Sequence, residues 1–485
     1  MKKQFYLMSL LWTLSVCGLL GLAACNDDNE PTGGSDTPTP AEELVFEVNL
    51  DPEAGSPILL VSEETYSIPY HGEGVEDITV ENESAGWQVT VDEAAGNIVL
   101  TAPAADAEAN KTYSLQLTAT GGDDQSITTE SIDFYHVTFD DPAGAFVLNE
   151  GNMTTENGSL IYITPEGYVL DNAYNRVNGT ELGNVTQDMC FHDGKIYIIS
   201  QNGDTNAVGV SFDNDGLLVV ADAKTLKKVR AYTKEELSGL DWPTHIAVLD
   251  EQHVYIRDNA GIWRLDMTDG SLHPITLGRY EAPKAPFAVV DEKVYTYYNG
   301  GYMVGLYEIG PESDQASQIN SGNPFWTYTS IYGIAASGDG QLWIMGGPNE
   351  STTYIGKYDI AGKSYTSQPI TLRPTLNWDL SGREFAVYGN QVYYLDGTSL
   401  YCLDFETGTE EYLVDLSSLD DNAWESYNGI GVNPTNGRVY ANTIRGVGNF
   451  YTTNQIWVFD PSSFEVPLFK YDNYTHFPAG VFFNK

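Results

Sequence analysis

Short hydrophobic runs alternate with polar turns seven times through the last two-thirds of the chain. Each copy combines a hydrophobic strand, a polar turn of two to four residues and a second strand rich in aromatic residues, as in residues 189–198. Repeats of about 40–50 residues that each hold several short strands are typical of a β-propeller. The chain is therefore predicted to be all-β, with one propeller blade for each copy. The unsplit copies begin at Met189, Ile246, Phe287, Ile334, Phe385 and Ile430.

The seventh copy is divided between the two ends of the repeat region. Residues 479–483 close the chain, and residues 145–148 supply the partner strand from the front. A ring of sheets must close, and joining both ends in one blade closes it without leaving an unpaired edge. We therefore predict a seven-bladed β-propeller over residues 143–485.

Residues 44–140 have a different pattern. Short runs in which hydrophobic and polar residues alternate are separated by turns about every ten residues, which is typical of a small β-sandwich. The sequence around Trp87 resembles the immunoglobulin-like spacers of Bacteroidetes surface lipoproteins, so we expect an immunoglobulin-like sandwich that serves as a stalk. The clearest runs are 45–48, 88–91, 98–101 and 113–117.

Residues 1–24 have the pattern of a secretion signal. Lys2 and Lys3 precede a hydrophobic run that ends in small residues directly before Cys25. This ending resembles the lipoprotein box of bacteria, which implies cleavage before Cys25 and lipidation of that cysteine. A single membrane-spanning helix is the alternative, but the small residues before the cysteine and the polar stretch behind it favour the lipoprotein.

Polar and acidic residues follow the lipidation site. Residues 25–43 are predicted to form a flexible tether, because their proline, glycine, serine and threonine residues offer nothing to pack. The acids directly behind Cys25 resemble the surface-export signal of Bacteroidetes lipoproteins. The expected location is therefore the outer membrane, facing the cell exterior, with contact to the membrane through the lipid anchor only.

The chain carries 68 acidic and 23 basic residues, which gives a net charge of −45. Removing the signal takes away two lysines and no acid, so the charge becomes −47. Phosphate backbones and anionic lipid surfaces repel such a protein, so no nucleic acid is expected as a partner. Because the acids are scattered rather than clustered, we interpret the charge mainly as a means of staying soluble.

The loops that lead into the innermost strands, here called lead-in loops, carry many aromatic side chains. In a propeller these loops reach one face around the central channel, so residues at equivalent positions should converge. Four of the nine tryptophans lie in them. Aromatic faces with a few amide, hydroxyl and imidazole groups suit a large, flat or sugar-like ligand. The predicted ligand-binding residues are Trp242, His245, Phe325, Trp326, Tyr328, Tyr332, Trp378, Arg383, Trp424, Tyr427, Asn428, His476 and Phe477.

Two other interpretations of these loops stay open. In the first, the aromatic side chains pack on one another and cap the ring without binding a ligand. In the second, His245 and His476 serve a metal or act as a general base. Neither histidine has a partner at metal-ligand spacing, and the sequence has no nucleophile elbow, phosphate loop or zinc signature. We therefore predict no catalytic residue, no metal site and no resident cofactor.

Residues 144–151 and 157–160, together with residues 184–188 and 194–198, resemble the opening of the YncE-like seven-bladed propeller lipoproteins of gut Bacteroidetes. That family includes the surface cobalamin-binding lipoproteins that sit over the TonB-dependent vitamin B12 transporter. The resemblance covers residues 143–485. It implies a surface protein that captures a nutrient, with cobalamin or a related corrinoid as the leading expectation, and passes it to a TonB-dependent outer-membrane transporter.

The chain differs from the simplest members of that family in its extra sandwich and its tryptophan-rich lead-in loops. A glycan-binding surface lipoprotein therefore stays open as an alternative function. A propeller lyase or hydrolase and a protein-binding adhesion scaffold are further alternatives.

Overall fold

The computed structural model describes residues 43–49, 57–276, 286–300, 303–319, 330–337, 339–349, 352–371 and 385–484. Within these residues nearly all regular structure is β, with three sheets in the N-terminal module and seven in a ring. The predicted signal, the lipidation site Cys25 and most of the tether lie outside the described residues. None of the helices in the described part of the chain is long and apolar enough to cross a membrane.

Ten strands form the N-terminal module. They are β1 (Val45–Val48), β2 (Ile58–Val61), β3 (Thr65–Glu73), β4 (Val75–Val80), β5 (Gln88–Asp92), β6 (Asn97–Thr101), β7 (Thr112–Leu115), β8 (Leu117–Gly121), β9 (Ser126–Thr128) and β10 (Ile132–Val137). The sheet orders are β1-β3-β6-β5, β2-β10-β7 and β4-β8-β9. Side chains alternate along a strand, so one side of each sheet contributes to a shared core that includes Trp87, Leu100 and Phe134. The module is the small β-sandwich that the sequence predicts.

The predicted strand over residues 113–117 is in fact two strands. β7 ends at Leu115 and β8 begins at Leu117, and the two belong to different sheets. The backbone N–H of Gln116 between them donates to Asn82 Oδ1 at 3.2 Å. This side-chain acceptor replaces a strand partner where the chain crosses from one sheet to the next.

Seven four-stranded sheets form the ring, which confirms the predicted seven-bladed propeller. The chain enters the ring with β11 (Ala145–Asn149), β12 (Ser159–Ile163) and β13 (Val169–Leu170), followed by helix α1 (Ala173–Asn178). Blade 1 is β14 (Asn184–His192), β15 (Lys195–Gly203), β16 (Leu218–Asp222) and β17 (Lys228–Tyr232). Blade 2 is β18 (His245–Asp250), β19 (His253–Arg257), β20 (Ile262–Asp266) and β21 (Ser271–Ile275).

The remaining blades repeat this arrangement. Blade 3 is β22 (Ala288–Val290), β23 (Lys293–Gly300), β24 (Met303–Ile309) and β25 (Ser317–Gln318). Blade 4 is β26 (Ser330–Ala336), β27 (Gln341–Asn349), β28 (Thr352–Asp359) and β29 (Ser364–Ile370). Blade 5 is β30 (Phe385–Tyr388), β31 (Gln391–Asp396), β32 (Ser399–Asp404) and β33 (Thr409–Asp415), followed by a 3-10 turn (Leu416–Ser418). Blade 6 is β34 (Glu425–Val432), β35 (Val439–Ile444), β36 (Asn454–Phe459) and β37 (Phe469–Asp472).

Blade 7 joins both ends of the repeat region. Its innermost strand is β38 (Pro478–Phe482), and its strand order is β13-β12-β11-β38. Phe146 pairs with Phe482 and Val147 pairs with Val481 across the antiparallel ladder between β11 and β38. The split seventh copy is therefore confirmed as the blade that closes the ring.

A separate hydrophobic cluster fills each boundary between neighbouring blades. Alternate residues of one strand contribute to opposite boundaries: Ala145 and Val147 pack towards blade 6, whereas Phe146 and Leu148 pack towards blade 1. Strands that are covered on both faces are hydrophobic at nearly every position. This explains why β11 is buried throughout its length.

Each blade is an antiparallel meander, so its connections fall on two opposite faces of the ring. The lead-in loops and the loops between second and third strands lie on one face, here called the loop face. The turns between first and second strands and between third and fourth strands lie on the other, here called the base face. The loop face is the face on which the sequence predicts a ligand.

The sandwich packs on the base face at blades 7 and 1. Tyr135, Val137 and Phe139 share one hydrophobic cluster with residues of both blades, among them Tyr162 and Leu226. The ring of Phe139 lies 5.1 Å from that of Tyr162, centroid to centroid. A shared core of this kind joins the two modules more closely than a flexible spacer would.

Ion pairs surround the contact between sandwich and ring. Arg176 Nη2 lies 3.1 Å from Glu64 Oε2, and Lys227 Nζ lies 2.9 Å from Glu63 Oε2. In both pairs the propeller supplies the cation and the sandwich supplies the carboxylate. The role of the sandwich as a stalk and the domain boundaries stay predictions.

Candidate ligand-binding site

Glu150 brings three predicted site residues together at the junction of blades 6, 7 and 1. It follows β11 on the loop face, and its backbone N–H donates to the carbonyl of Phe477 at 2.7 Å. Its carboxylate Oε1 accepts from Asn428 Nδ2 at 3.1 Å and lies 3.5 Å from the Tyr427 hydroxyl. Its carbonyl accepts from the backbone N–H of Thr186 at 3.3 Å. One acidic residue thus links the starts of the innermost strands of three blades, since Tyr427 and Asn428 lie in β34, Thr186 lies in β14 and Phe477 directly precedes β38.

The ring of Phe477 lies between two tyrosines. Its centroid lies 5.4 Å from that of Tyr427 and 4.3 Å from that of Tyr451, and the ring planes of Phe477 and Tyr451 differ by 18°. Tyr451 comes from the loop between the second and third strands of blade 6. The aromatic residues of two kinds of loop therefore form one cluster on the loop face.

A second acidic residue, Glu156, holds His476 beside this cluster. Glu156 Oε2 lies 2.7 Å from His476 Nδ1, and Glu156 Oε1 accepts from the Tyr451 hydroxyl at 2.7 Å. The histidine contact is an ion pair rather than an aligned hydrogen bond, since Nδ1 makes no hydrogen bond of good geometry within the described chain. The carboxylate raises the pKa of His476, and the histidine lowers the pKa of Glu156. The pair favours an imidazolium beside a carboxylate.

Buried amide side chains hold the segment before β38 in place. Asn454 Nδ2 donates to the carbonyl of Thr475 at 2.6 Å, and Asn454 Oδ1 accepts from the backbone N–H of Thr475 at 3.0 Å. Asn149 Oδ1 accepts from the backbone N–H of His476 at 3.3 Å. Because Asn454 and Asn149 are fully buried, the position of His476 and Phe477 is set from inside the ring.

Two buried polar side chains near the site have unused hydrogen-bonding capacity. Within the described residues, both polar atoms of the Asn442 amide and the Thr475 hydroxyl make no hydrogen bond. Thr475 precedes His476, and Asn442 pairs across the sheet with Ile456, which packs at the boundary of blades 6 and 7. Leaving a buried polar group unsatisfied costs about 1–3 kcal/mol. This boundary therefore contains polar groups that make no hydrogen bond within the described part of the fold.

Residues at or just before the start of four innermost strands have left-handed backbone. Val185, Trp242, Asn428 and Phe477 have φ values of 58°, 53°, 43° and 56°. For residues with bulky or branched side chains this left-handed region is unfavourable, and such residues concentrate at functional sites. All four lie two to four residues before the hydrophobic start of an innermost strand, and since asparagine tolerates this region, the strain is carried by Val185, Trp242 and Phe477.

Both predicted tryptophans that the structure describes are exposed. Trp424 is 64% and Trp242 is 39% accessible to solvent. Trp424 Nε1 donates to the carbonyl of Asp421 at 2.7 Å, which fixes the indole in its loop. The exposed indole of Trp424, held in place by this bond, favours a binding face over a closed cap.

Two predicted residues lie in the interior instead. His245 is the first residue of β18, is buried, and its Nδ1 lies 3.0 Å from Thr244 Oγ1. Tyr332 lies inside β26 rather than in a loop and packs in the hydrophobic cluster between blades 4 and 5. The structure thus corrects the expectation that these two side chains line the exposed face. The predicted residues Phe325, Trp326, Tyr328, Trp378 and Arg383 lie outside the described residues.

Sequence reasoning missed the two carboxylates and Tyr451. All three come from loops between second and third strands, whose length predicts walls around the aromatic residues but not which of their side chains take part. The signal available was the length of these loops, since long loops in a compact fold are usually functional. Among the described residues, no group of three or more His, Cys, Asp or Glu side chains is placed to hold a metal ion.

Comparisons with known proteins identify a family that covers the propeller but give no ligand for it. The protein family described as "Domain of unknown function (DUF5074)" matches residues 143–484, and no curated protein matches the chain. Among solved structures, a candidate 6-phosphogluconolactonase from Bacteroides uniformis is 10% identical, with 70% of this chain and 98% of that chain covered and a TM-score of 0.44. A protein from Lactobacillus plantarum is 13% identical, with the same coverage and a TM-score of 0.43. Neither likeness bears on activity.

Proposed function

The chain belongs to the DUF5074 family, and from that membership and the loop-face site we propose that it captures a soluble ligand on the loop face of its propeller. Trp424, Tyr427, Asn428, His476 and Phe477 would contact the ligand, together with Glu150 and Tyr451. In the full proposal the protein is a lipoprotein anchored through Cys25 on the outer surface of the outer membrane. It would pass its ligand to a TonB-dependent transporter.

The observation that carries the proposal is the convergence of the starts of three innermost strands on Glu150. The carboxylate contacts Tyr427 and Asn428, and its backbone contacts Phe477 and Thr186. Polar groups held beside aromatic faces are the composition of small-molecule sites, in which a few fixed polar atoms set the orientation of the ligand. A merely structural cap needs neither an exposed indole nor unsatisfied buried amides.

The position of the sandwich supports the proposed orientation. The sandwich packs on the base face, so a lipid anchor joined to it through the tether would leave the loop face turned away from the point of attachment. A ligand arriving from the medium would then meet the aromatic cluster directly.

A corrinoid is the leading ligand in this proposal, because the YncE-like resemblance includes cobalamin-binding members and a corrinoid is large, flat and rimmed with amides. A glycan is the second candidate. The exposed indole of Trp424, 64% accessible, favours it, since sugar rings stack on such faces.

The test uses protein that lacks residues 1–25. Cyanocobalamin, haem and a panel of neutral oligosaccharides are titrated by calorimetry against the unchanged chain and against Trp424→Ala. Tyr412→Ala is the matched control, because Tyr412 is an exposed aromatic residue on the outermost strand of blade 5. We expect one ligand class to bind, Trp424→Ala to weaken it and Tyr412→Ala to leave it unchanged. Equal binding by both variants, or no binding by any, would overturn the proposal.

A further inference from the structure

We propose that Arg445 recognises a carboxylate carried on a flat ring, with the rings of Trp424 and Phe450 as the apolar walls of the same pocket. This inference rests on the proposed function, because Trp424 belongs to the loop-face site. It adds the chemical class of the ligand at blade 6.

The guanidinium of Arg445 lies beside two aromatic rings. Its Cζ is 5.4 Å from the ring centroid of Trp424 and 5.8 Å from that of Phe450. Both distances lie within the range in which a cation is attracted to the face of a ring. The arrangement places one cationic centre within reach of two aromatic rings.

Backbone hydrogen bonds hold these three residues together. The N–H of Arg445 donates to the carbonyl of Thr453 at 2.9 Å, and the N–H of Trp424 donates to the carbonyl of Ile444 at 3.3 Å. The first bond closes the loop that contains Phe450, and the second ties the lead-in loop to the end of β35. The walls and the cation are therefore positioned by the blade.

The walls face solvent. Trp424 and Phe450 are 64% and 57% accessible, and Val447 between them in the chain is also exposed. Large hydrophobic side chains exposed in one place mark a binding surface. Arg445 itself is half-buried, so a ligand can reach it beside the exposed rings.

The other cations that stack on rings in the described chain each have a second partner. Lys357 pairs with Asp339, Lys470 with Asp420, and Arg230 with Glu236. Arg438 donates to the carbonyl of Pro165.

Arg445 differs from all four. Among the described residues its guanidinium has no carboxylate partner, and its Nε is shielded from solvent without a hydrogen bond. In a chain where acids outnumber bases by 68 to 23, carboxylates are abundant. A guanidinium left unpaired in such a chain points to a partner from outside.

Charge and geometry select the kind of anion. The planar guanidinium fork matches a carboxylate with two parallel hydrogen bonds. The net charge of −45 repels a dianionic phosphate more strongly than a monoanionic carboxylate. The two walls require that the carboxylate be attached to an apolar or ring-shaped body, as in an aromatic acid or an acidic sugar.

The test compares benzoate with benzamide, which has the same shape without the charge. Both are titrated by ligand-observed NMR against protein lacking residues 1–25, against Arg445→Gln, and against Arg230→Gln as the control for another ring-stacked arginine. We expect benzoate to bind at least tenfold more tightly than benzamide, Arg445→Gln to abolish that difference, and Arg230→Gln to leave it unchanged.

Equal affinity for the two probes, or a preference for benzoate that survives Arg445→Gln, would overturn the inference. If the chain binds a corrinoid or a neutral glycan while benzoate shows no preference, this inference fails and the proposed function stands. If no ligand of either set binds, both fail. Thermal melting of each variant confirms that it is folded.

Discussion

The base face and the loop face of the ring differ in the exposure of some aromatic side chains and in the partners of some cations. On the base face, Phe139 and Tyr162 are buried against each other, and propeller cations pair with carboxylates of the sandwich. On the loop face, Trp242 and Trp424 are exposed, and the guanidinium of Arg445 stacks on rings and has no carboxylate partner among the described residues. The same residue types thus stabilise the protein on one face and remain available on the other.

Left-handed backbone occurs on both faces, since Leu226, Asp193 and Lys363 in turns of the base face also have positive φ. Trp242, Asn428 and Phe477 on the loop face hold left-handed backbone, which costs free energy and persists only where the surroundings enforce it. The buried Asn454 and Asn149 provide that enforcement beneath Phe477. The difference in side-chain exposure, rather than in backbone conformation, suggests that the base face is built for stability and the loop face for ligand contact.

The largest effect, on the free energy of unfolding, is expected from a deletion that opens the ring, because both faces depend on its closure. Deleting residues 479–485 removes most of β38, including the buried Val481 and Phe482, and exposes the edge of β11. We expect a loss of more than about 5 kcal/mol, since burying each large side chain contributes several kcal/mol. Circular dichroism melting would measure the loss, and an unchanged melting temperature would contradict the split blade. Val466→Ala, at an exposed position, is the control.

Phe139→Ala should destabilise the contact between the sandwich and the base face without changing the loop face. The side chain is 1% accessible and lies in the cluster shared by sandwich, blade 7 and blade 1. Truncating a buried phenylalanine costs about 3–5 kcal/mol, so thermal melting and limited proteolysis between sandwich and ring should both change. Ligand affinity per folded molecule should stay constant. A variant that loses affinity as strongly as stability would show that the two faces are coupled.

Trp424→Ala should lower ligand affinity and leave the stability of the fold nearly unchanged. Truncating an interfacial tryptophan typically costs about 2 kcal/mol in binding, roughly thirtyfold in affinity. An exposed side chain contributes little to folding, so stability should change by less than about 1 kcal/mol. Parallel calorimetry and melting would separate the two quantities. If the melting temperature falls while affinity holds, the aromatic side chains form a structural cap.

The smallest effect is expected from the pair of Glu156 and His476. The pKa of His476 is raised above its ordinary value of 6.5, so its contribution to stability is present below pH 6.5 and disappears as pH rises through the raised value. The pKa of Glu156 is lowered from 4.5, so its contribution is present above pH 4.5 and disappears as pH falls through the lowered value. Both contributions are complete between pH 4.5 and 6.5.

The difference in melting temperature between the unchanged chain and His476→Gln should therefore be greatest in that window and shrink on either side. The side chain of His476 is 40% exposed, so solvent screening keeps the effect below about 1 kcal/mol. His71→Gln is the control, because His71 and Glu73 form a more exposed contact in the sandwich at 3.4 Å. A difference that does not vary with pH would show that the pair is not ionised as described.

The repeating pattern allowed the ring to be predicted, whereas bulges limited the prediction of its site. Hydrophobic periodicity located the inner strands, and the split copy located the closing pair of β11 and β38. The ladders of β26 and β34 shift register around Tyr332 and around residues 427–429. A bulge redirects side chains by one position, and no sequence signal showed that Tyr332 would turn into a blade boundary while Tyr427 would meet Glu150.

The carboxylates escaped prediction for a different reason. Glu150 and Glu156 are two of 68 acidic residues, and nothing in their local sequence separates them from the acids that stay in solvent. Their importance comes from contacts with Asn428 and His476, which are distant in the chain. Only the closed ring brings these residues together.

Ring closure also sets the order in which the site can come into existence. Asn149 and His476, which hydrogen-bond beneath the aromatic cluster, are 327 positions apart in the chain. One half of the site is therefore synthesised long before the other, and the early half has no partner until the final strand docks. A chain that stalls in translation or fails to seat β38 would present Glu150 without its aromatic neighbours. Ligand binding would then report directly on whether the whole propeller had been completed.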